Sequence, residues 1–257
     1  MLIALDIDGT VINYDGTFSG VQKDAIKGVI ERGHKIVFAT GRSVAATVPY
    51  MNQVGMEHGI GVSCNGAVTF QLERGRPRIV NQVTFGSTPA LSALHKVLPD
   101  ADYAVETVSG EYLSSTDFVD QSFGLRIYHV PLSELYNQKI TRLVVRSAKT
   151  PHDKFAEAIA SIGLHGVSYS IGWNSWMDIA PEGVNKATSL ELVRRSLGVN
   201  PHETIAVGDG QNDIEMLHWA AHGVAMGQSK DNVKESASEV TGSIDDDGLA
   251  TFLNSLD

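Results

Sequence analysis

The chain holds 257 residues, 42% hydrophobic and 19% charged, with 20 Lys and Arg against 30 Asp and Glu and a formal net charge of −10. That length exceeds one comfortable core and favours two domains, and the acidic balance argues against nucleic acid or an anionic membrane as the main partner. The single cysteine, Cys64, excludes an internal disulfide framework; with no leader-like segment and no long apolar run, the expected setting is the cytoplasm.

The first strand, Leu2-Ile3-Ala4-Leu5, is short and apolar throughout, which suits burial on both faces of a parallel sheet. It runs into Asp6-Ile7-Asp8-Gly9-Thr10, placing two carboxylates at a strand's carboxyl end, where open α/β sheets bind ligands. Side chains two apart on an extended chain point the same way. Like charges that close call for a cation, and Mg²⁺ is the economical choice. Read alone, the same residues also make an ordinary Asp-Gly turn.

After a polar stretch from Asn13 to Thr17, apolar spacing predicts a helix from about Val21 to Glu31, ended by Gly33. A second buried strand, Lys35–Ala39, meets Thr40-Gly41-Arg42. Thr40 can donate to a phosphoryl oxygen, Gly41 lets backbone approach a ligand, and Arg42 offers a fork for oxyanions. The same tripeptide also serves as a plain turn with Ser43 capping the next helix. A third strand near Ile60 to Cys64 leads to Asn65-Gly66, a hairpin signal that leaves open whether Asn65 also enters the crevice.

From about residue 83 to 180 the texture changes. Strand-like runs at Tyr103–Thr107 and Ile140–Val145 alternate with helical segments at Pro89–Leu98 and His152–Ile162, and none ends in phosphate-binding residues. The expectation is an inserted α+β domain, flanked by core segments 1–82 and 181–257. Asn185 then caps a predicted helix bearing Lys186, and the strand Thr204–Val207 ends in Gly208-Asp209-Gly210-Gln211-Asn212-Asp213. A strand at Val224–Met226, a helix near Asn232–Ala237 and a closing helix after Gly248 complete the chain.

Together, Asp6, Asp8, Asp209 and Asp213 beside Thr40, Asn65, Asn212 and Lys186 would suit a phosphate ester. The ordered set of motifs resembles the haloacid dehalogenase superfamily of aspartate-nucleophile phosphatases, in its Cof-like branch with an inserted α/β cap. The residues that carry it are Asp6–Thr10, Ala39–Arg42, Cys64–Ala67, Gly183–Lys186, Gly208–Asp213 with Met216-Leu217, Gly223–Gly227 and Asp247–Leu249. The resemblance implies a doubly wound, mainly parallel Rossmann-like core sheet under an α+β cap. It also implies a Mg²⁺-dependent phosphatase of small phosphorylated metabolites, most plausibly sugar phosphates.

By the same resemblance Asp6 is the nucleophile and Asp8 the acid that protonates the leaving group. Asp6, Asp8 through its main-chain carbonyl, and Asp209 would hold Mg²⁺, with Asp213 ligating or supporting. Thr40 and Lys186 would grip the phosphoryl group, and Gly41, Arg42, Asn65 and Asn212 would contact phosphate or substrate. One departure is Gly227-Gln228-Ser229, where relatives commonly have Gly-Asn-Ala. No nucleic acid or membrane partner is expected, and the chain would be a monomer or small homo-oligomer. The rivals are a phosphatase of a phosphorylated cofactor, a phosphomutase and a non-catalytic phospho-ligand sensor.

Several other residues carry bland readings. His218 and His222 share a zinc-like helical spacing but lack the glutamate of a zinc-protease pattern. Trp173 and Trp176 suit hinge packing, and Arg74, Arg76 and Arg78 suit a solvated strand face.

Overall fold

The structure is a computed structural model that describes residues 1–117, 127–163, 166–171 and 175–256. Its first part runs β1 (Leu2–Leu5), α1 (Gly20–Glu31), β2 (Lys35–Ala39), α2 (Val44–Gln53), β3 (His58–Ser63), β4 (Val68–Glu73) and β5 (Arg76–Gln82). Next come β6 (Phe85–Gly86), α3 (Ser87–Val97), β7 (Asp102–Thr107), β8 (Tyr112–Ser114), β9 (Ile127–His129), α4 (Leu132–Leu135), β10 (Lys139–Arg146), α5 (His152–Ile162), β11 (Val167–Ile171) and β12 (Trp176–Pro181). The chain closes with α6 (Lys186–Ser196), β13 (Thr204–Gly208), α7 (Ile214–Trp219), β14 (His222–Ala225), α8 (Asp231–Lys234), β15 (Glu239–Val240) and α9 (Gly248–Asn254).

Among the described residues the core sheet is ordered β15-β14-β13-β1-β2-β3-β4-β5. It is parallel from β15 to β3, and the antiparallel β4 and β5 extend one edge. β1 lies at its centre and is buried on both faces, as its unbroken apolar run requires. Ile3 and Leu5 pack with α1 and α9 through Ile26, Val29 and Leu253. Leu2 and Ala4 pack with α6 and α7 through Leu190, Val193 and Leu217. Helices on both faces make the sheet doubly wound.

The cap sheet, ordered β11-β12-β10-β7-β8-β9 with β6 beside β10, is mostly antiparallel and keeps a two-residue alternation. Val105, Leu143, Val145, Met177 and Ile179 face α3 and α5 in one apolar cluster. Their neighbours Glu106, Arg142 and Asp178 fall on the opposite face, which turns to the core.

Most boundaries agree with the periodicity, because capping residues fix the helix starts. Ser19 accepts from the Gln22 amide, Ser43 from Ala46 and Asn185 from Thr188, the last in a reciprocal capping box. The helix expected near 232–237 is instead the single turn α8, whose exit tightens into Ser236-to-Val233 and Ala237-to-Lys234 bonds. Arg74 leaves the expected strand face, since its φ of 51° places it in the turn before β5. The His218–His222 spacing is also broken: α7 stops at Trp219, and His222 opens β14 and pairs with Glu239 at 2.8 Å. Trp173 lies outside the described residues. No described helix is long and apolar enough to cross a membrane.

Candidate active site

Parallel register brings the strand ends level. Leu5 lies opposite both Val207 and Phe38, so Asp6, Thr40 and Asp209 leave the sheet along one edge. The Asp6 amide donates to the Val207 carbonyl at 3.0 Å, and the Thr40 amide to Val62 at 2.9 Å. These backbone bonds hold the two side chains at the mouth of a rigid sheet.

Lys186, at the start of α6, reaches into this edge and is buried. Its Nζ lies 2.5 Å from Asp6 Oδ1 and 2.6 Å from Asp213 Oδ1. Burial alone would lower its pKa, but Asp213 and then Asp6 outweigh it and hold the ammonium raised and charged. The second Asp213 oxygen accepts from the Asp209 and Gly210 amides at 3.0 and 2.9 Å. Both Asp213 oxygens are thereby used, which fits a supporting group better than a free ligand.

Asp8 stands apart from that cluster. Arg42 Nε and Nη2 donate to its two oxygens at 2.7 and 2.5 Å, and the guanidinium carbon lies 5.1 Å from the Tyr50 ring centroid. Arg42, expected at the substrate, therefore has its fork engaged with Asp8. Thr40 Oγ1 accepts from the Arg42 amide at 3.1 Å, and its own hydrogen has no acceptor among the described residues.

Asn65 does both things its motif allowed. It turns β3 into β4 in left-handed backbone, with φ of 54° at Cys64 and 51° at Asn65, and its Oδ1 accepts from Asn212 Nδ2 at 2.9 Å. Gly41 lies close beside it: a Cβ there would be 3.2 Å from Asn65 Oδ1 and would press on the Asn65 amide. Gly66 seats the start of α6, its carbonyl accepting from Ser189 Oγ at 2.7 Å.

Two contacts escape sequence reasoning. The Tyr14 hydroxyl donates to Asp209 Oδ2, although nothing in the polar loop around it signals that reach. Gln228 donates to the Gly9 carbonyl at 2.6 Å and accepts from the Ile244 amide at 2.9 Å. Its longer arm thus ties the Asp6–Thr10 loop to the tail of the chain.

The donor set fits a hard divalent cation. Oxygens of Asp6, Asp209 and Asp213 lie within 4.8 Å of one another, all three residues are buried, and Lys186 is the cation among them. Burial first, and Asp213 second, push Asp209 up to about 7 and raise Asp6 as well, as expected where carboxylates outnumber positive charges.

Above this edge a cavity of about 420 Å³ separates cap from core. Ser168, Tyr169 and Asp178 line it from the cap, and Asn65, Lys186 and Asn212 from the core. Behind Asp178 runs a buried polar chain. Arg142 donates to Asp178 at 2.6 Å and to the Tyr112 hydroxyl at 3.0 Å, and Tyr112 donates to Glu106 at 2.5 Å. The Cys64 thiol of the core donates to the same Glu106 oxygen at 3.0 Å.

Comparison with known proteins agrees with this geometry. The 5-amino-6-(5-phospho-D-ribitylamino)uracil phosphatase of Bacillus subtilis is 26% identical, over 98% of this chain and 96% of its own. The pyridoxal phosphate phosphatase of Escherichia coli is 25% identical, over 99% of this chain and 97% of its own. A solved subclass IIB sugar phosphatase superposes with a TM-score of 0.82 at 23% identity, covering 98% of this chain and 97% of its own, and so shares the fold. The model of the haloacid dehalogenase-like hydrolases matches residues 3–253, and the chain belongs to that family.

Proposed function

We propose that this hydrolase is a divalent-metal-dependent phosphatase of small phosphorylated metabolites, sugar phosphates foremost, acting through an aspartyl phosphate on Asp6. The observation that carries the reading is the division between the two aspartates of the first strand end. Asp6 meets Lys186 at 2.5 Å beside Asp209 and Asp213, while Asp8 is held off that cluster by Arg42. One carboxylate is thus placed among charges that suit a nucleophile, and its neighbour is oriented separately.

In this reading an Asp6 oxygen attacks phosphorus, the ester P–O bond breaks, and Asp8 gives its proton to the leaving oxygen. Asp8 then takes a proton from the water that attacks the phosphoaspartate, releasing phosphate and restoring Asp6. Thr40 donates to a phosphoryl oxygen, and Lys186 balances the charge that builds there. Asp6 and Asp209, supported by Asp213, would hold the metal, Mg²⁺ by preference, with the Asp8 main-chain carbonyl completing the set. When bound, it neutralises charge on the transferring group. In the structure Arg42 engages both Asp8 oxygens, so its fork must open and Asp8 must take up a proton before it acts as the acid.

The test is phosphate release from sugar phosphates, nucleotides, flavin mononucleotide and pyridoxal phosphate, with Mg²⁺ and with EDTA, for the wild type and Asp6→Asn. Turnover that needs the metal and falls by about a thousandfold or more in a folded Asp6→Asn protein is expected. Turnover surviving in Asp6→Asn would sink the nucleophile assignment, and turnover unaffected by EDTA would sink the metal requirement.

A further inference from the structure

We propose that the cavity between cap and core selects phosphate monoesters whose leaving group is neutral or cationic and rich in hydroxyls, and that Glu215 rejects leaving groups bearing a second negative charge. This rests on the phosphatase reading and names the class of ester it serves. The cavity, about 420 Å³, suits a group of monosaccharide size.

Charge accounting among the described lining residues carries the argument. Lys186 is the cationic side chain there, and its ammonium is already matched by Asp6 and Asp213 at 2.5 and 2.6 Å. Arg142, behind the wall, is buried and committed to Asp178 and Tyr112. Two carboxylates face the space. Asp178 is compensated by Arg142 and the Trp176 indole N–H, whereas Glu215, exposed in the first turn of α7, forms no ion pair with the described residues. Among the described lining residues a second anion on the leaving group would therefore meet an unmatched like charge and no spare cation.

The rest of the lining is suited to hydroxyls. Asn65, Ser168, Asn185, Gln211 and Asn232 supply amide and hydroxyl groups that both donate and accept. Tyr169, 45% exposed on β11, adds a flat apolar face of the kind that sugar rings pack against. Glu215 also lies where a carboxylate favours a helix N-terminus. That role would alter stability but not the ranking of substrates by charge.

The experiment compares glucosamine 6-phosphate, glucose 6-phosphate and 6-phosphogluconate, three esters of similar size with cationic, neutral and anionic leaving groups, with p-nitrophenyl phosphate as a generic ester. The wild type is expected to disfavour 6-phosphogluconate against glucose 6-phosphate by about tenfold or more in kcat/KM, which is about 1.4 kcal/mol. Glu215→Gln narrows that ratio and Glu215→Lys reverses its direction, both mainly through KM, with melting temperature confirming that each variant is folded. Equal handling of the three esters by the wild type, or an unchanged ratio in folded Glu215→Lys, overturns the proposal. Release from p-nitrophenyl phosphate but from none of the three rejects the leaving-group class while the phosphatase reading stands. Release from no ester at all removes both.

Discussion

Lys186 in the core and Arg142 in the cap are both buried beside carboxylates, yet their surroundings differ in balance. Around Lys186 stand Asp6, Asp209 and Asp213, three acids for one ammonium, with Asp8 matched separately by Arg42. Around Arg142 the arrangement closes on itself. Asp178 takes the charge, Tyr112 bridges to Glu106, and burial raises the Glu106 pKa against the opposing pull of its hydrogen-bond partners. An excess of buried negative charge persists only where a cation or a reaction uses it, whereas a cluster tied together by a guanidinium and by hydroxyl and thiol donors fixes the orientation of a wall.

The largest effect should come from unbalancing the cap. Arg142→Met leaves Asp178, half-buried in the cavity wall, without its counter-ion, at an expected cost of about 2–3 kcal/mol, and adding Asp178→Leu should restore most of it. Thermal unfolding of the single and double variants checks this; a double variant no better than the single would mean that the pair is worth more than its charges. The core should answer differently. Lys186→Met is expected to lower phosphate release on the order of a hundredfold or more, and no apolar partner mutation should recover it, because its loss is read in turnover.

The same contrast explains what could be read from the sequence. Each core group sits within a few residues of a strand end, so Asp6, Thr40, Asn65 and Asp209 appear as polar breaks after apolar runs, and the fold follows from their order. The cap cluster is assembled from Glu106, Tyr112, Arg142 and Asp178 on four different strands, and β7, β8, β10 and β12 meet only through antiparallel pairing across the sheet. Such pairing leaves no local spacing to recognise. The engagement of Arg42 with Asp8 and the reach of Tyr14 to Asp209 were hidden for a related reason. A long side chain chooses among several charges in space, and sequence does not rank them.

An intermediate effect separates the two clusters by pH. Burial first, and Asp213 second, raise Asp209 to about 7, and Asp6 is raised in the same direction. A carboxyl raised in the folded state stabilises below its unfolded pKa and loses that contribution as pH rises through the folded value. In EDTA the melting temperature should therefore fall from this source between about pH 4 and pH 8. Mg²⁺ binds the deprotonated carboxylates, so the rise in melting temperature that it produces should grow over the same window. Glu106 is also raised, yet metal should leave its contribution alone. A Mg²⁺ shift that is flat with pH, or that persists undiminished in Asp209→Asn, would place the cation elsewhere.

The smallest effect concerns the bond where the two clusters touch. Cys64, one residue before Asn65, donates its thiol to Glu106 of the cap at 3.0 Å, and burial first, then Glu106, raise its pKa so that it keeps the proton it donates. Cys64→Ala removes the donor but leaves Glu106 its bond from Tyr112, so the expected loss is about 1 kcal/mol. Cys64→Ser keeps a hydroxyl donor in the same left-handed turn, where φ is 54°, and should stay closer to the wild type. Both variants share any strain of that backbone, so the difference between them isolates the hydrogen bond. If this contact also sets how the cap wall faces the core loop, Cys64→Ala raises KM for sugar phosphates more than it lowers kcat, and Cys64→Ser does neither. Equal behaviour of the two variants would reduce Cys64 to a packing residue and leave the Arg142 cluster of the cap without a tie to the charged one beneath it.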